Sequence, residues 1–275
     1  MEKTNTNSKQ KKAVILARGL GSRMRAQSDA ALTEEQKSAA DAGLKSMISV
    51  GRPFLDHVIS ALADAGFTDV CLVIGPEHQV VRDYYDSLDT DRVTVSYAIQ
   101  EEPLGTADAV LAAEEFAGED PILVVNSDNY YPADSLRLLA DHEGNAVLGF
   151  DRHGLIEKSN IPPERLAAFA LLQVDEDGNM VDIVEKPSPE VLETFGDEAP
   201  ISMNAWLFTP SIFAAAKDIE LSERGELEIQ SAVRKAIANG ETFAVLPTSD
   251  GVMDMSSRDD IASVVEALQG REVSL

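Results

Sequence analysis

Short β-branched apolar runs recur along this chain, and amphipathic stretches separate several of them. The runs lie at 13–17, 70–74 (VCLVI), 93–98 (VTVSYA), 121–126 (PILVVN), 145–150 (NAVLGF), 168–174, 180–184, 203–208 and 243–247. Helical patterns fill 53–66, 106–118 and 227–240, and end on Gly66, Gly118 and Gly240. Glycine is a common helix stop because it enters the left-handed region without a Cβ penalty. Strands joined by helices pair in parallel, and a parallel sheet must be covered on both faces. The expected fold is therefore α/β, a mostly parallel, Rossmann-like mixed sheet with helices on both faces. The later part is richer in strands, and DEDGN (175–179) between two apolar runs predicts a hairpin turn. The longest irregular piece, 151–167, is a candidate lid. Residues 1–12, MEKTNTNSKQKK, read as a disordered tail before a single domain over 13–275. With no apolar segment behind them they do not read as a secretory signal.

The charge balance excludes some partners. Asp and Glu total 48 against 23 Lys and Arg, a formal net charge of -25. Such a surface repels phosphodiester backbones, so nucleic acid is not expected as a partner. No run of eighteen apolar residues predicts a membrane span. The single cysteine, Cys71, lies in an apolar run and reads as a buried core thiol, which points to the cytoplasm. An acidic protein that handles a phosphorylated substrate must gather its few cations around it.

AVILARGLGSRMR (13–25) does gather them: a greasy strand runs into two glycines, with Arg18, Arg23 and Arg25 within eight positions. A strand that opens into Gly-x-Gly can wrap phosphates with backbone N–H groups. The P-loop ending Gly-Lys-Ser/Thr is absent, and the dinucleotide fingerprint would need glycine where Met24 stands. Arginine directly after the second glycine turn can grip a polyphosphate in bidentate fashion. A tight turn with solvated arginines stays open on these residues alone.

LARGLGSRMR resembles the signature loop of the sugar-1-phosphate nucleotidyltransferases, and the resemblance continues in order over roughly residues 13–265. GLKSMISVGRPFLDHVI (43–59) resembles the family's lysine segment, QEEPLGTADAV (100–110) its base-recognition segment, and VVNSDN (124–129) the strand end with a metal-binding aspartate. VEKP (184–187) is its Glu-Lys-Pro box. ERGELEIQSAV (223–233) and VMDMSSRDDI (252–261) resemble the closing segments, the last carrying a second metal aspartate.

The resemblance implies a nucleotidyltransferase (GT-A-like) architecture and attack by a sugar-1-phosphate oxygen on the α-phosphorus of a nucleoside triphosphate. The nucleophile is already an anion near pH 7, since the second pKa of a phosphate monoester is about 6. No general base is required, and the protein must supply positive charge and alignment. The implied catalytic cations are Arg23, Lys45 and Lys186. Leu16, Ala17, Gly19, Gly21, Ser22, Gln100, Pro103, Gly105 and Thr106 are implied to bind the nucleotide. Ala170, Glu185, Lys186 and Asn204 are implied for the sugar phosphate, and Asp128 and Asp254 for one Mg²⁺. The side-chain amide of Gln100 offers a donor and an acceptor to the imide edge of uracil or thymine, which favours UTP or dTTP. The partners are then an NTP and a sugar 1-phosphate, and a homo-oligomer is compatible with these features.

Several positions depart from the family pattern. Arg18 stands where a small residue is usual, and its side chain is expected to point away or form a structural salt bridge. The segment 26–44 is longer than usual, lacks a proline before Lys45, and reads as an inserted helix or a mobile flap. Phe169-Ala170 replaces a tyrosine-glycine pair, and Ser127-Asp128 a glycine-aspartate pair. Trp206 reads as core, and the four histidines as surface or helix residues. A non-catalytic relative that binds a nucleotide sugar is the alternative to an enzyme.

Overall fold

The computed structural model describes residues 11–19, 21–26, 28–196 and 198–275. Most of the expected tail lies outside the described residues, although Lys12 already opens the first strand.

The described residues form eleven strands: β1 (Lys12–Leu16), β2 (Asp69–Ile74), β3 (Thr94–Ile99), β4 (Ile122–Asn126), β5 (Asn129–Tyr130), β6 (Asn145–Phe150), β7 (Ala170–Val174), β8 (Met180–Val184), β9 (Ile201–Phe208), β10 (Phe243–Thr248) and β11 (Met253–Asp254). Nine form one sheet, whose main path runs β10-β6-β9-β4-β1-β2-β3. The contacts β1–β2, β1–β4, β2–β3 and β6–β10 are parallel. Strand β9 runs against both β4 and β6, which makes the sheet mixed. The hairpin β7–β8 attaches through β9, and its turn closes where Asp175 N–H donates to Asn179 O at 2.9 Å.

The helices are α1 (Ser22–Arg25), α2 (Glu34–Ala42), α3 (Phe54–Asp64), α4 (Gln79–Asp86), α5 (Thr106–Ala112), α6 (Glu114–Ala117), α7 (Ala133–Ala140), α8 (Arg152–Lys158), α9 (Pro189–Phe195), α10 (Ser211–Lys217), α11 (Ile229–Ala238) and α12 (Ile261–Leu268). They cover both faces, as the strand pattern requires. Along β1, Ala13 and Ile15 enter one apolar cluster with α3, α7 and α12, while Val14 enters the other with α5, α10 and α11. The same alternation runs along β2, where Cys71 faces the second cluster and burial pushes its thiol up to about 11. The core-thiol expectation fits that site. No helix among the described residues is long and apolar enough to cross a membrane.

Two expectations resolve into definite structure. The inserted segment carries α2, started by a capping box between Thr33 and Gln36 and stopped at Gly43 (φ 75°). The stretch 151–167 is not an irregular lid. Asp151 caps α8 by accepting from Gly154 N–H at 2.6 Å, and Pro163–Ala168 forms a 3₁₀ turn.

Candidate active site

The site lies at the carboxyl ends of the parallel strands, where ligands bind in open α/β sheets. Backbone bonds join these ends: Ala17 N–H donates to Val73 O (2.8 Å), Ser127 N–H to Leu16 O (3.1 Å) and Gln100 N–H to Ile74 O (2.9 Å). The loop after β1 turns at Gly21, in the left-handed region at φ 61°. A Cβ on Gly21 would stand 2.7 Å from Gly43 Cα, so the loop and the end of α2 touch backbone to backbone. Arg25 belongs to that junction, since its Nη2 donates to Ala42 O at 2.9 Å. Arg258 braces it from behind, donating to Met24 O (2.8 Å) and Asp41 (2.5 Å). Of the three clustered arginines, Arg18 and Arg23 therefore line the cavity and Arg25 is structural.

The cavity has a volume of about 370 Å³. All nine expected nucleotide residues line it: Leu16, Ala17, Gly19, Gly21, Ser22, Gln100, Pro103, Gly105 and Thr106. Arg23, Lys45 and Asp128 line it as well. Lys45 opens the 3₁₀ turn Lys45–Met47, and its Nζ lies 2.8 Å from Asp128 Oδ2. Arg23 is exposed, and no hydrogen bond or ion pair holds its guanidinium among the described residues, which leaves its donors for a ligand.

Asp128 and Asp254 are brought together. Strands β5 and β11 form a two-stranded ribbon in which Asp254 pairs with Asn129, and Met255 N–H donates to Asp128 O at 2.8 Å. Asp254 is buried and accepts from Ser256 Oγ (2.7 Å) and Asn129 Nδ2 (3.2 Å). Burial, then the nearby Asp128 charge, holds its carboxyl above the usual carboxylate range. Arg165, from the 3₁₀ turn 163–168, pairs with Asp254 and with Asp260 at 2.8 Å. Each of the two aspartates thus faces a cation, Lys45 or Arg165. Two hard carboxylates brought together are a donor set that would suit Mg²⁺.

The expected sugar-phosphate residues do not line the cavity. Glu185 and Asn204 adjoin the segment 222–230, which borders it. Leu227 N–H donates to Leu104 O (2.6 Å), Ile229 N–H donates to Thr106 Oγ1 (3.0 Å), and Glu226 lines the cavity. From the same segment Gln230 Nε2 donates to Asn204 Oδ1 (3.4 Å), and Arg224 lies 3.9 Å from Glu185. Burial and the neighbouring Glu228 raise the Glu185 carboxyl. Lys186 (φ 45°) and Asn204 (φ 59°) are the non-glycine residues with positive φ among the described residues. Strained backbone of this kind clusters at functional sites. Ala170, by contrast, is buried in the core, paired with Ser202. Trp206 is core too, stacked 5.6 Å from Phe208.

Sequence reasoning missed Arg165, Arg224 and His78. Of these, Arg224 stood inside a recognised segment, while Arg165 fell in the stretch read as a lid and carried no signal. His78 lines the cavity just before α4. The Gln100 expectation needs correction. Both Nε2 hydrogens are engaged, by Gly105 O (3.0 Å) and Asp108 Oδ2 (2.8 Å), so the side chain has an acceptor to offer but no donor.

A family model described as nucleotidyl transferase matches residues 12–269. The chain belongs to the nucleotidyl transferase family. It is 28% identical over 262 residues to the UTP–glucose-1-phosphate uridylyltransferase AglF of Haloferax volcanii, covering 94% of this chain and 96% of that protein. It is 31% identical over 234 residues to the glucose-1-phosphate thymidylyltransferase of Streptomyces antibioticus, covering 83% of this chain and 58% of that protein. The low-salt glycan biosynthesis nucleotidyltransferase Agl11 of Haloferax volcanii is 28% identical over 235 residues, again with 58% of its length covered. The chain thus spans less than two thirds of several curated relatives. Among solved structures, a UDP-glucose pyrophosphorylase complexed with UDP-glucose superposes with a TM-score of 0.71 at 18% identity, covering 94% of this chain and 98% of that one. UDP-glucose pyrophosphorylase from Acinetobacter baumannii gives 0.72 at 17%, covering 96% and 95%. These two likenesses establish the nucleotidyl transferase fold.

Proposed function

We propose that this nucleotidyl transferase joins an NTP, UTP or dTTP by preference, to a sugar 1-phosphate, giving a nucleotide sugar and pyrophosphate. The observation that carries the reading is one cavity in which Arg23, Lys45 and Asp128 stand with the nine nucleotide residues. The curated relatives named as uridylyl- and thymidylyltransferases support the choice of bases.

The chemistry is an in-line displacement. An oxygen of the sugar phosphate forms a bond to the α-phosphorus as the bond to pyrophosphate breaks. No proton need move, because the attacking oxygen is already anionic. The barrier is the approach of two anions, and fixed positive charge lowers it. Arg23, with free donors, neutralises the departing pyrophosphate. Lys45, on a flexible stem, stays beside the α-phosphate as it inverts. Lys186 holds the phosphate of the incoming sugar, while Glu185 and Asn204 accept and donate to its hydroxyls. Asp128 and Asp254 would hold Mg²⁺, which when bound neutralises phosphate oxygens. Separating the triphosphate residues from the sugar residues, the segment 222–230 keeps the two substrates in register.

The test is pyrophosphate release from five nucleotides against a panel of sugar 1-phosphates with Mg²⁺. Release is expected with UTP or dTTP and at least one sugar phosphate. Absence of release from every pair would favour the non-catalytic reading.

A further inference from the structure

Resting on that function, we propose that Arg18 is a specificity-determining residue, which together with Gln100 selects bases presenting a ring N–H beside a carbonyl. Arg18 lines the cavity on the side of Gln100, Pro103 and Gly105, and its side chain is only 8% exposed. Its Nη1 donates to Gln100 O. Its other contacts are long: Nε to Glu77 Oε1 at 3.3 Å and Nη2 to Glu77 Oε2 at 3.4 Å, with the Glu77 side chain 52% exposed. Three of the five guanidinium N–H bonds are thereby used, and one on each terminal nitrogen is left.

The surroundings are shaped to admit this side chain. A Cβ on Gly75 would lie 2.3 Å from Glu77 Oε2 and 2.5 Å from Arg18 Nε, yet Gly75 has no positive φ that would call for glycine. Its missing side chain makes room for the guanidinium and the carboxylate beside it. Arg18 therefore does not point away from the site; it forms the expected salt bridge, to Glu77, and the exposure of that partner makes the pair a weak one.

Gln100 supplies the complementary half. Its amide orientation is fixed, because Gly105 O and the Asp108 carboxylate are both acceptors and must face Nε2. Oε1 receives no hydrogen bond among the described residues. Gln100 alone can bind a ring N–H but cannot donate to the adjacent carbonyl. Arg18, in contact with the Gln100 backbone, provides that donor. Uracil and thymine present N3–H beside O4, and guanine presents N1–H beside O6. Cytosine and adenine present an unprotonated ring nitrogen beside an amino group, so acceptor would meet acceptor and donor would meet donor. A site built around specific hydrogen bonds rejects such mismatches strongly, since buried groups are left unpaired.

The experiment compares kcat/KM for UTP, dTTP, GTP, CTP and ATP in the wild type, Arg18→Gly and Arg18→Met, the last keeping the stem without the donors. Thermal shift with UDP and CDP reads the same preference without turnover. The wild type should prefer UTP over CTP, and loss of one charged hydrogen bond should shrink that ratio about 10- to 100-fold in both variants. An unchanged ratio in a folded variant would overturn the proposal and leave Arg18 a loop brace. Should the wild type turn over no nucleotide, the functional reading fails. The UDP-to-CDP binding ratio then still decides the role of Arg18: a ratio lost in the variants upholds it and a ratio retained overturns it.

Discussion

Lys45 Nζ lies 2.8 Å from Asp128 Oδ2, although 83 residues separate them in the chain. The ammonium and the carboxylate hold one another at the point where triphosphate and metal are proposed to meet. Asp128→Asn keeps the shape and removes the charge that would hold Mg²⁺. Turnover should fall by orders of magnitude. The pair is partly exposed, at 14% and 22% of its side chains, so the melting temperature should move by only a few degrees. Initial rates and calorimetry on the same preparation check this, and a wild-type rate would show that the site is misplaced.

Arg165 offsets two acidic neighbours at once, Asp254 and Asp260. Arg165→Ala leaves both buried carboxylates without their guanidinium, a change that costs several kcal/mol when a buried pair is broken. The variant should melt well below the wild type without metal. Mg²⁺ should raise its melting temperature by more than it raises that of the wild type, because a cation then enters a site short of one. Equal metal-dependent shifts in both proteins would refute this.

Gly21 tests the loop proposed to face the triphosphate. Gly21→Ala adds a methyl 2.7 Å from Gly43 Cα in a left-handed conformation. Strain of this kind costs about 1–3 kcal/mol before the clash is counted. Urea melts should show the loss, and KM for the nucleotide should rise at least tenfold as the loop is displaced.

The pH dependence of stability should carry a signature of His57. This histidine is buried on α3, with Nε2 3.3 Å from Val50 O. Burial holds its imidazole below the ordinary value; Arg52 and Arg271 act in the same direction, Asp56 and the Val50 carbonyl in the opposite one. Below an ordinary histidine pKa of about 6.5 the unfolded chain takes up a proton that the folded chain refuses. The stability contribution is therefore fully present above that pH and is lost as pH falls beneath it. Between pH 7.5 and 5.5 the wild type should lose more stability than His57→Gln, measured by chemical denaturation.

Much of this was legible before any coordinates. Periodicity located the nine strands of the main sheet because strands that build a covered sheet are short, apolar and β-branched, most plainly in the parallel part, as VCLVI is. The cavity lining was legible because its residues lie in contiguous loops after strands. What escaped depends on distant contact. Nothing local to Arg165 announces Asp254, 89 positions away. Nor does QEEPLG reveal that Asp108, one turn into a helix, consumes the Gln100 donor. Ala170 was misplaced for a related reason: a small residue on a strand looks the same whether it lines a ligand or packs beneath a neighbour.

The β5–β11 ribbon has a further consequence. Backbone hydrogen bonds, rather than the intervening 125 residues, set the spacing between Asp128 and Asp254. Loops along that interval, apart from the stretch 160–168 whose Asn160 and Arg165 contact Asp254, can lengthen or shorten without disturbing the two carboxylates. An engineer can thus vary the turn of the β7–β8 hairpin while the two aspartates, and Glu185 and Lys186 beyond β8, keep their places.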